Sequence, residues 1–164
     1  MNGSRKLLLN IVWAALIAAL YVTMTFVFAP ISFNAVQLRI AEALTILPLF
    51  TPAAIPGLFI GCVIGNMAGG AIMLDVVFGS VATLIGAIGG YLLRKNRWLV
   101  PIPAIVANTI IVPLVLKYGY GVDLPLILSA LYILLGEIGG CYILGELLAS
   151  ALMPHKNRIF VNEN

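Results

Sequence analysis

Residues 7–28 read LLLNIVWAALIAALYVTMTFVF, a run without a single charged side chain. A helix rises 1.5 Å per residue, so this stretch would be about 33 Å long, enough to cross the hydrocarbon core of a bilayer. The basic lead-in, Met1 to Lys6, looks superficially like the start of a signal peptide. The apolar run is too long for a signal core, however, and more such runs follow, so it is read as a retained first transmembrane helix.

The rest of the chain has the same character. Of its 164 residues, 62% are hydrophobic and 9% charged, whereas soluble proteins carry about a quarter charged residues to wet their surface. The solvent of such a chain is largely lipid. At roughly 20 residues per span, the length holds about six spans and leaves no room for a soluble domain. Ala29-Pro30-Ile31-Ser32-Phe33-Asn34 ends the first segment, Thr51-Pro52 caps the third, and Asp75 opens the fourth. Arg94-Lys95-Asn96-Arg97 precedes the fifth segment and Tyr118-Gly119-Tyr120-Gly121-Val122 the sixth. The expected helices are 7–28, 37–50, 52–69, 75–93, 99–117 and 124–153, forming one all-α transmembrane domain over residues 1–164. The second is too short to cross easily alone and is expected to tilt or lie partly buried among its neighbours. No internal repeat is evident, which disfavours an inverted-repeat carrier.

Six helices put both termini and the loops after the second and fourth helices on one side. That side holds Arg5, Lys6, Arg94, Lys95, Arg97, Lys156 and Arg158, seven of the nine basic residues, so both termini are expected in the cytoplasm. This topology accounts for the net charge of +3 without a nucleic-acid partner. Several chemistries are excluded by their missing parts. There is no phosphate-binding G-x-x-x-x-G-K-[ST] loop. The single histidine, His155, lies in the basic tail, and no residue set has metal-ligand spacing, so neither a metal nor a cofactor is expected. Ser80 has no histidine to act as its base. Cys62 and Cys141 lie inside apolar segments and read as small hydrophobes. The protein is not expected to be an enzyme.

Gly57, Gly61, Gly65 and Gly69 recur every fourth residue, as do the pairs Gly86/Gly90 and Gly136/Gly140. Such stripes let helix backbones approach closely, and internal packing is the expected use. The pairs Ala14/Ala18 and Ala15/Ala19 on the first helix could serve either this bundle or a second protein.

Polar groups inside the membrane are costly, about 2.5 to 3.5 kcal/mol for a charge at mid-helix on insertion scales, and so are informative. Arg39 and Glu42, three apart, share a helix face, either as a structural ion pair or as ligand contacts. Gln37 lies a turn earlier, and Asn66 and Asn108 could be interhelical glue or site residues. Asp75 could simply cap its helix. Glu137 is the sharpest candidate: no basic residue on its own helix neutralises it, so it is protonated, paired across helices, or facing a polar cavity. Tyr142 follows it. Given the topology, Gln37, Asn66, Asp75, Phe33, Tyr118 and Tyr120 can converge on the outer side, with Asn108 and Glu137 as a floor. Carboxylates, amides and aromatic rings together suit a flat heterocycle with several N–H donors.

This combination resembles the substrate-binding S-components of energy-coupling factor (ECF) vitamin importers: a short six-helix chain, small residues on helix 1, a short second helix and no ATPase. More narrowly, Val36-Gln37-Leu38-Arg39-Ile40-Ala41-Glu42-Ala43-Leu44-Thr45-Ile46-Leu47-Pro48 is similar to the signature of the queuosine-precursor (QueT-type) family. So are Ile55-Pro56-Gly57-Leu58-Phe59-Ile60-Gly61-Cys62, then Asn66, and Asp75-Val76-Val77-Phe78-Gly79-Ser80. The resemblance covers about Leu7 to Met153. It implies a bacterial plasma-membrane subunit that binds queuine, queuosine or a pre-queuosine base. Such a subunit works with a transmembrane coupling subunit and two cytoplasmic ATPases, and topples to deliver its ligand inward. It further implies that the alanine motif, here Ala14 and Ala18 with Ala15 and Ala19 beside them, meets the coupling subunit. A deazaguanine edge offers N1–H and N2–H₂ donors, for which Glu137 is the first expected acceptor and Asp75 the second. Asn66, Asn108 or Gln37 would bond its carbonyl or ribose. The competing readings are an S-component for another vitamin, a gradient-driven carrier and a membrane scaffold.

Overall fold

The computed structural model describes residues 3–28 and 39–160, and every regular element among them is helical. Helix α1 spans Gly3–Val27. A 3-10 helix follows over Ile40–Leu49, then α2 over Ala54–Ala68, α3 over Met73–Leu92 and α4 over Ile102–Tyr118. The last rod begins as α5 (Leu126–Glu137), passes through a π-helical stretch (Ile138–Leu144) and continues as α6 (Gly145–Leu152). A short α7, Lys156–Ile159, closes the described chain. Four helical stretches are long and apolar enough to cross a membrane: Gly3–Val27, Met73–Leu92, Arg97–Tyr118 and Leu126–Ile159. Their outer faces carry exposed large hydrophobics such as Leu20, Ile110, Ile127 and Leu147, as lipid-facing helices require.

The long helices pack in sequence order, α1 on α2, α2 on α3, α3 on α4 and α4 on α5, while the 3-10 helix sits among them. It touches α1, α2, α3, the π stretch and α6, and Ala41 through Pro48 are all buried. The second segment therefore does more than tilt; it forms the centre of the bundle. A 3-10 helix rises about 2.0 Å per residue, so its 10 residues reach about 20 Å, a third further than an α-helix of that length. Pro48 lies within it and removes one backbone donor, and Phe50 and Thr51 both donate back to the Leu47 carbonyl as the segment ends.

Glycines set the closest approaches. A Cβ on Gly61 would lie 2.7 Å from Tyr21 Cβ, and one on Gly57 would lie 2.8 Å from the Ala14 carbonyl oxygen. Gly86 meets Ala104 in the same way across the α3–α4 contact. These stripes are internal packing surfaces. At the end of the molecule that carries the basic loop, Phe160 stacks on Phe50 with ring centroids 5.3 Å apart and contacts Trp13 at 5.1 Å. The C-terminal segment thus pins α1 to the end of the central 3-10 helix. At the same end Arg97 reaches back to Glu146 on α6, with Nη2 2.7 Å from Oε2.

Candidate substrate-binding site

The start of the 3-10 helix, Arg39, faces the first turn of α3. Arg39 Nη2 lies 3.8 Å from Asp75 Oδ2, and both residues are buried. The expected alternative, an Arg39–Glu42 pair, is not what forms: three-residue spacing put the two on one face, but the partner comes from another helix. Tyr120, from the loop between α4 and α5, donates its hydroxyl to Asp75 Oδ2 at 3.0 Å and accepts from the Ile72 amide at 3.3 Å. Partial burial and the Asp75 carboxylate push the Tyr120 phenol up from its ordinary value, which keeps it a donor. Two valences in this group stay open. Arg39 Nη2 and Asp75 Oδ1 are buried and have no hydrogen-bond partner among the described residues. Gly79 leaves the space beside them clear, since a Cβ there would stand 3.1 Å from Asp75 Oδ1 and 3.3 Å from Asn66 Nδ2.

A second polar group lies one turn along the 3-10 helix. Tyr21 of α1 donates to Glu42 Oε1 at 2.7 Å. Cys141 lies 2.9 Å from Glu137 Oε2 and 3.9 Å from Glu42 Oε2, so its sulfur stands between the two carboxyls. Thr45 Oγ1 donates to the Glu42 carbonyl oxygen at 2.6 Å, and Asn108 of α4 is buried. Glu137 ends α5, and Cys141 lies within the π stretch that follows. Gly140 makes that stretch's approach possible, because a Cβ there would come 2.9 Å from the Arg39 carbonyl oxygen. The sequence leaves three states open for Glu137, and in the structure its Oε2 accepts from Cys141. Glu42, Glu137 and Cys141 are of metal-ligand type and their donor atoms fall within 4.8 Å. Each is already held by a hydrogen bond to a neighbour, which suits a fixed polar floor.

Asn66, buried, points its amide nitrogen toward the Asp75 carbonyl and the Cys62 sulfur, each at 3.5 Å. Thr83 donates to the same sulfur at 3.3 Å. Arg39, Glu42, Asn66, Asp75, Asn108 and Glu137 thus come from five elements into one buried polar column. Tyr142 does not join it; half-buried, it packs with Leu134 against Ala104, Ile105 and Cys141. Tyr118 is 72% exposed and lies beside Leu74 and Phe78 on an apolar face. Phe33 and Gln37 lie outside the described residues. Tyr21, Cys62, Thr83 and Cys141 belong to the column although composition marks them as ordinary helix residues. For Cys141 the available signal was its position four residues after Glu137.

On α1, Ala18 is buried against Gly61, Ala14 is half-buried, and Ala15 and Ala19 face outward. Between α1 and α2 runs an apolar groove of about 530 Å³, lined by Asn10, Ala14 and Ala18 on one side and Pro52, Pro56 and Ile60 on the other.

The family model described as QueT transporter matches residues 11–154. The chain belongs to the QueT transporter family. The match takes in α1 from its third turn, the 3-10 helix, α2 through α6 and every described residue of the polar column. With the four long apolar helices, it makes this QueT-family chain a multi-pass membrane protein of a transporter family. No curated protein and no solved structure matches the chain significantly.

Proposed function

We propose that the protein is the substrate-binding subunit of an ECF-type importer for a queuosine precursor: queuine, queuosine or a pre-queuosine base. The observation that carries this reading is the open pair of valences at Arg39 Nη2 and Asp75 Oδ1, a buried donor beside a buried acceptor. A 7-deazaguanine presents the complement, a carbonyl oxygen next to N–H donors on one ring edge. Arg39 would take the carbonyl, Asp75 the N–H groups, and Asn66 a further polar atom. An unmet buried pair is costly, and a ligand that meets both groups recovers that cost as affinity. Tyr120, which ties the outer loop to Asp75, would close over the bound ring. Asn108, Glu42 and Glu137 would form the floor, and Glu137 ranks second to Asp75 because its Oε2 already accepts from Cys141 whereas Asp75 Oδ1 has no partner among the described residues.

Both termini are proposed to be cytoplasmic, since seven of the nine Lys and Arg residues fall on their side of a six-helix topology. Tyr120, partly exposed and bonded to Asp75, then lies toward the opposite side. The groove on α1 and α2 is the proposed contact for a transmembrane coupling subunit, which would bring two ATPases and let the subunit topple. Titrating the detergent-purified protein with queuine, queuosine and a pre-queuosine base, with riboflavin, biotin and thiamine as controls, tests the ligand assignment. Tight binding of one deazapurine upholds it. Binding of a control vitamin alone would keep the subunit class and sink the queuosine assignment.

A second reading rests on the membrane-buried carboxyls Glu42 and Glu137, which suit a proton-coupled carrier. That carrier would accumulate solute in liposomes without ATPases, whereas the importer subunit would bind without accumulation.

A further inference from the structure

A small polar pocket of about 240 Å³ lies at the basic end of the molecule, far along the chain fold from the polar column. Its walls are the Pro48–Pro52 turn that ends the central 3-10 helix, Tyr91 and Arg94 at the end of α3, Lys95, and Lys156 from the C-terminal segment. Three cations and no acid line it among the described residues. Among the described residues the ion pairs are Arg39–Asp75 and Arg97–Glu146, so Arg94, Lys95 and Lys156 have no acidic partner there. Arg94 is held in place: its guanidinium lies 3.8 Å over the Tyr91 ring, and Nη1 reaches the Tyr91 carbonyl at 3.5 Å. Loop charges that serve only to orient a membrane protein have no need to converge on a concavity. Like charges brought together repel, and the arrangement is relieved when an anion sits among them.

We infer that this pocket binds a phosphate group. Its non-bridging oxygens, two on a phosphodiester headgroup and four on free phosphate, can accept from several directions, as one arginine and two lysines supply donors. Two sources share that chemistry. A phospholipid headgroup is favoured by the pocket's place at the end of a lipid-facing bundle, with Leu49 and Phe50 in its lining; free phosphate is the other. The inference is independent of what the transporter carries.

Thermal unfolding of the full chain in a neutral detergent tests it, with short-chain phosphatidylglycerol or inorganic phosphate added. Either ligand should raise the unfolding midpoint by a few degrees. The shift should vanish in Arg94→Gln/Lys156→Gln. It should persist in Arg5→Gln/Arg158→Gln, which removes as much charge from the same end but outside the pocket. A shift with lipid alone identifies the headgroup as the source; a shift with inorganic phosphate as well identifies free phosphate as sufficient. No shift in the unaltered protein, or equal loss in both double variants, overturns the site and leaves only a diffuse basic surface. Should the first double variant not fold, Lys95→Gln, a change on an exposed side chain, should reduce the shift in part, and an unchanged shift there counts against the site.

Discussion

Asp75 and Glu137 are both buried carboxyls, but their surroundings differ in a way that ranks them. Asp75 has one oxygen shared by Tyr120 and Arg39 and one with no hydrogen-bond partner among the described residues, while Glu137 Oε2 accepts from Cys141. A group with an unused acceptor can gain from a ligand; a group already satisfied must first give something up. Asp75→Asn is therefore expected to weaken deazapurine binding by roughly 10- to 100-fold, the worth of one charge-assisted hydrogen bond. Glu137→Gln should cost less. Calorimetric titration of the two variants side by side decides the order, and a larger loss at Glu137 would place the ring at the floor instead. Tyr21 gives a contrasting case. Tyr21→Phe strands Glu42 Oε1 without its donor, so stability should fall by about 1–3 kcal/mol while ligand affinity stays near its original value. Unfolding midpoints and titrations on the same sample separate the two effects. At this scale the costly residues were legible, because any charge in an apolar helix stands out. Their partners were not. Arg39 finds Asp75 across the bundle, and spacing along one helix cannot reveal a contact between two. Tyr21 does not stand out and Cys141 reads as a small hydrophobe, because an isolated phenol or thiol is unremarkable in a membrane segment.

The two unusual elements are what bring these residues together. The first helix could be read almost to its ends because nothing interrupts its apolar run. The central segment could be read as short and helical, but a hydrophobic run buried on every side has no period by which to tell a 3-10 helix from an α-helix. The π stretch is still less visible: it adds no special residue beyond Gly139-Gly140, and the sixth helix reads as continuous through it. Both forms are rare at this length and recur where function needs a backbone placed off the regular path. Here the meeting point is Gly140, against the carbonyl of Arg39. Gly140→Val is expected to push the start of the 3-10 helix outward, at a cost of about 1–3 kcal/mol in stability from overpacking. Binding should be lost beyond what stability accounts for, since Arg39 moves with its backbone. Gly145→Ala is the matched control, because a Cβ there meets Ala43 and Ile46 at 3.6 Å, an ordinary contact. If both variants bind equally well, the close approach at Gly140 does not hold the site in register.

For the molecule as a whole, the open question is which surface meets a partner, and α1 divides it. Spacing alone made Ala14/Ala18 and Ala15/Ala19 equivalent stripes. Folding separates them, because Ala18 lies against Gly61 within the bundle while Ala15 and Ala19 are exposed, with Ala15 beside the half-buried Ala14 along the groove toward Pro56. A small residue at an outward position gains nothing from lipid, which accepts leucine readily; it gains where another helix must come close. Replacing Ala15 and Ala19 with leucine should leave folding and deazapurine affinity intact, since neither side chain supports the polar column. The same change should abolish copurification with a coupling subunit and its ATPases, and with it ATP-dependent uptake. Ala18→Leu should behave differently, unfolding the α1–α2 contact and lowering the yield of folded protein before any partner is involved. Copurification that survives the Ala15/Ala19 change would move the proposed coupling face off this side of α1. Loss of ligand binding in that variant would mean that α1 supports the site more directly than its contact through Tyr21 requires.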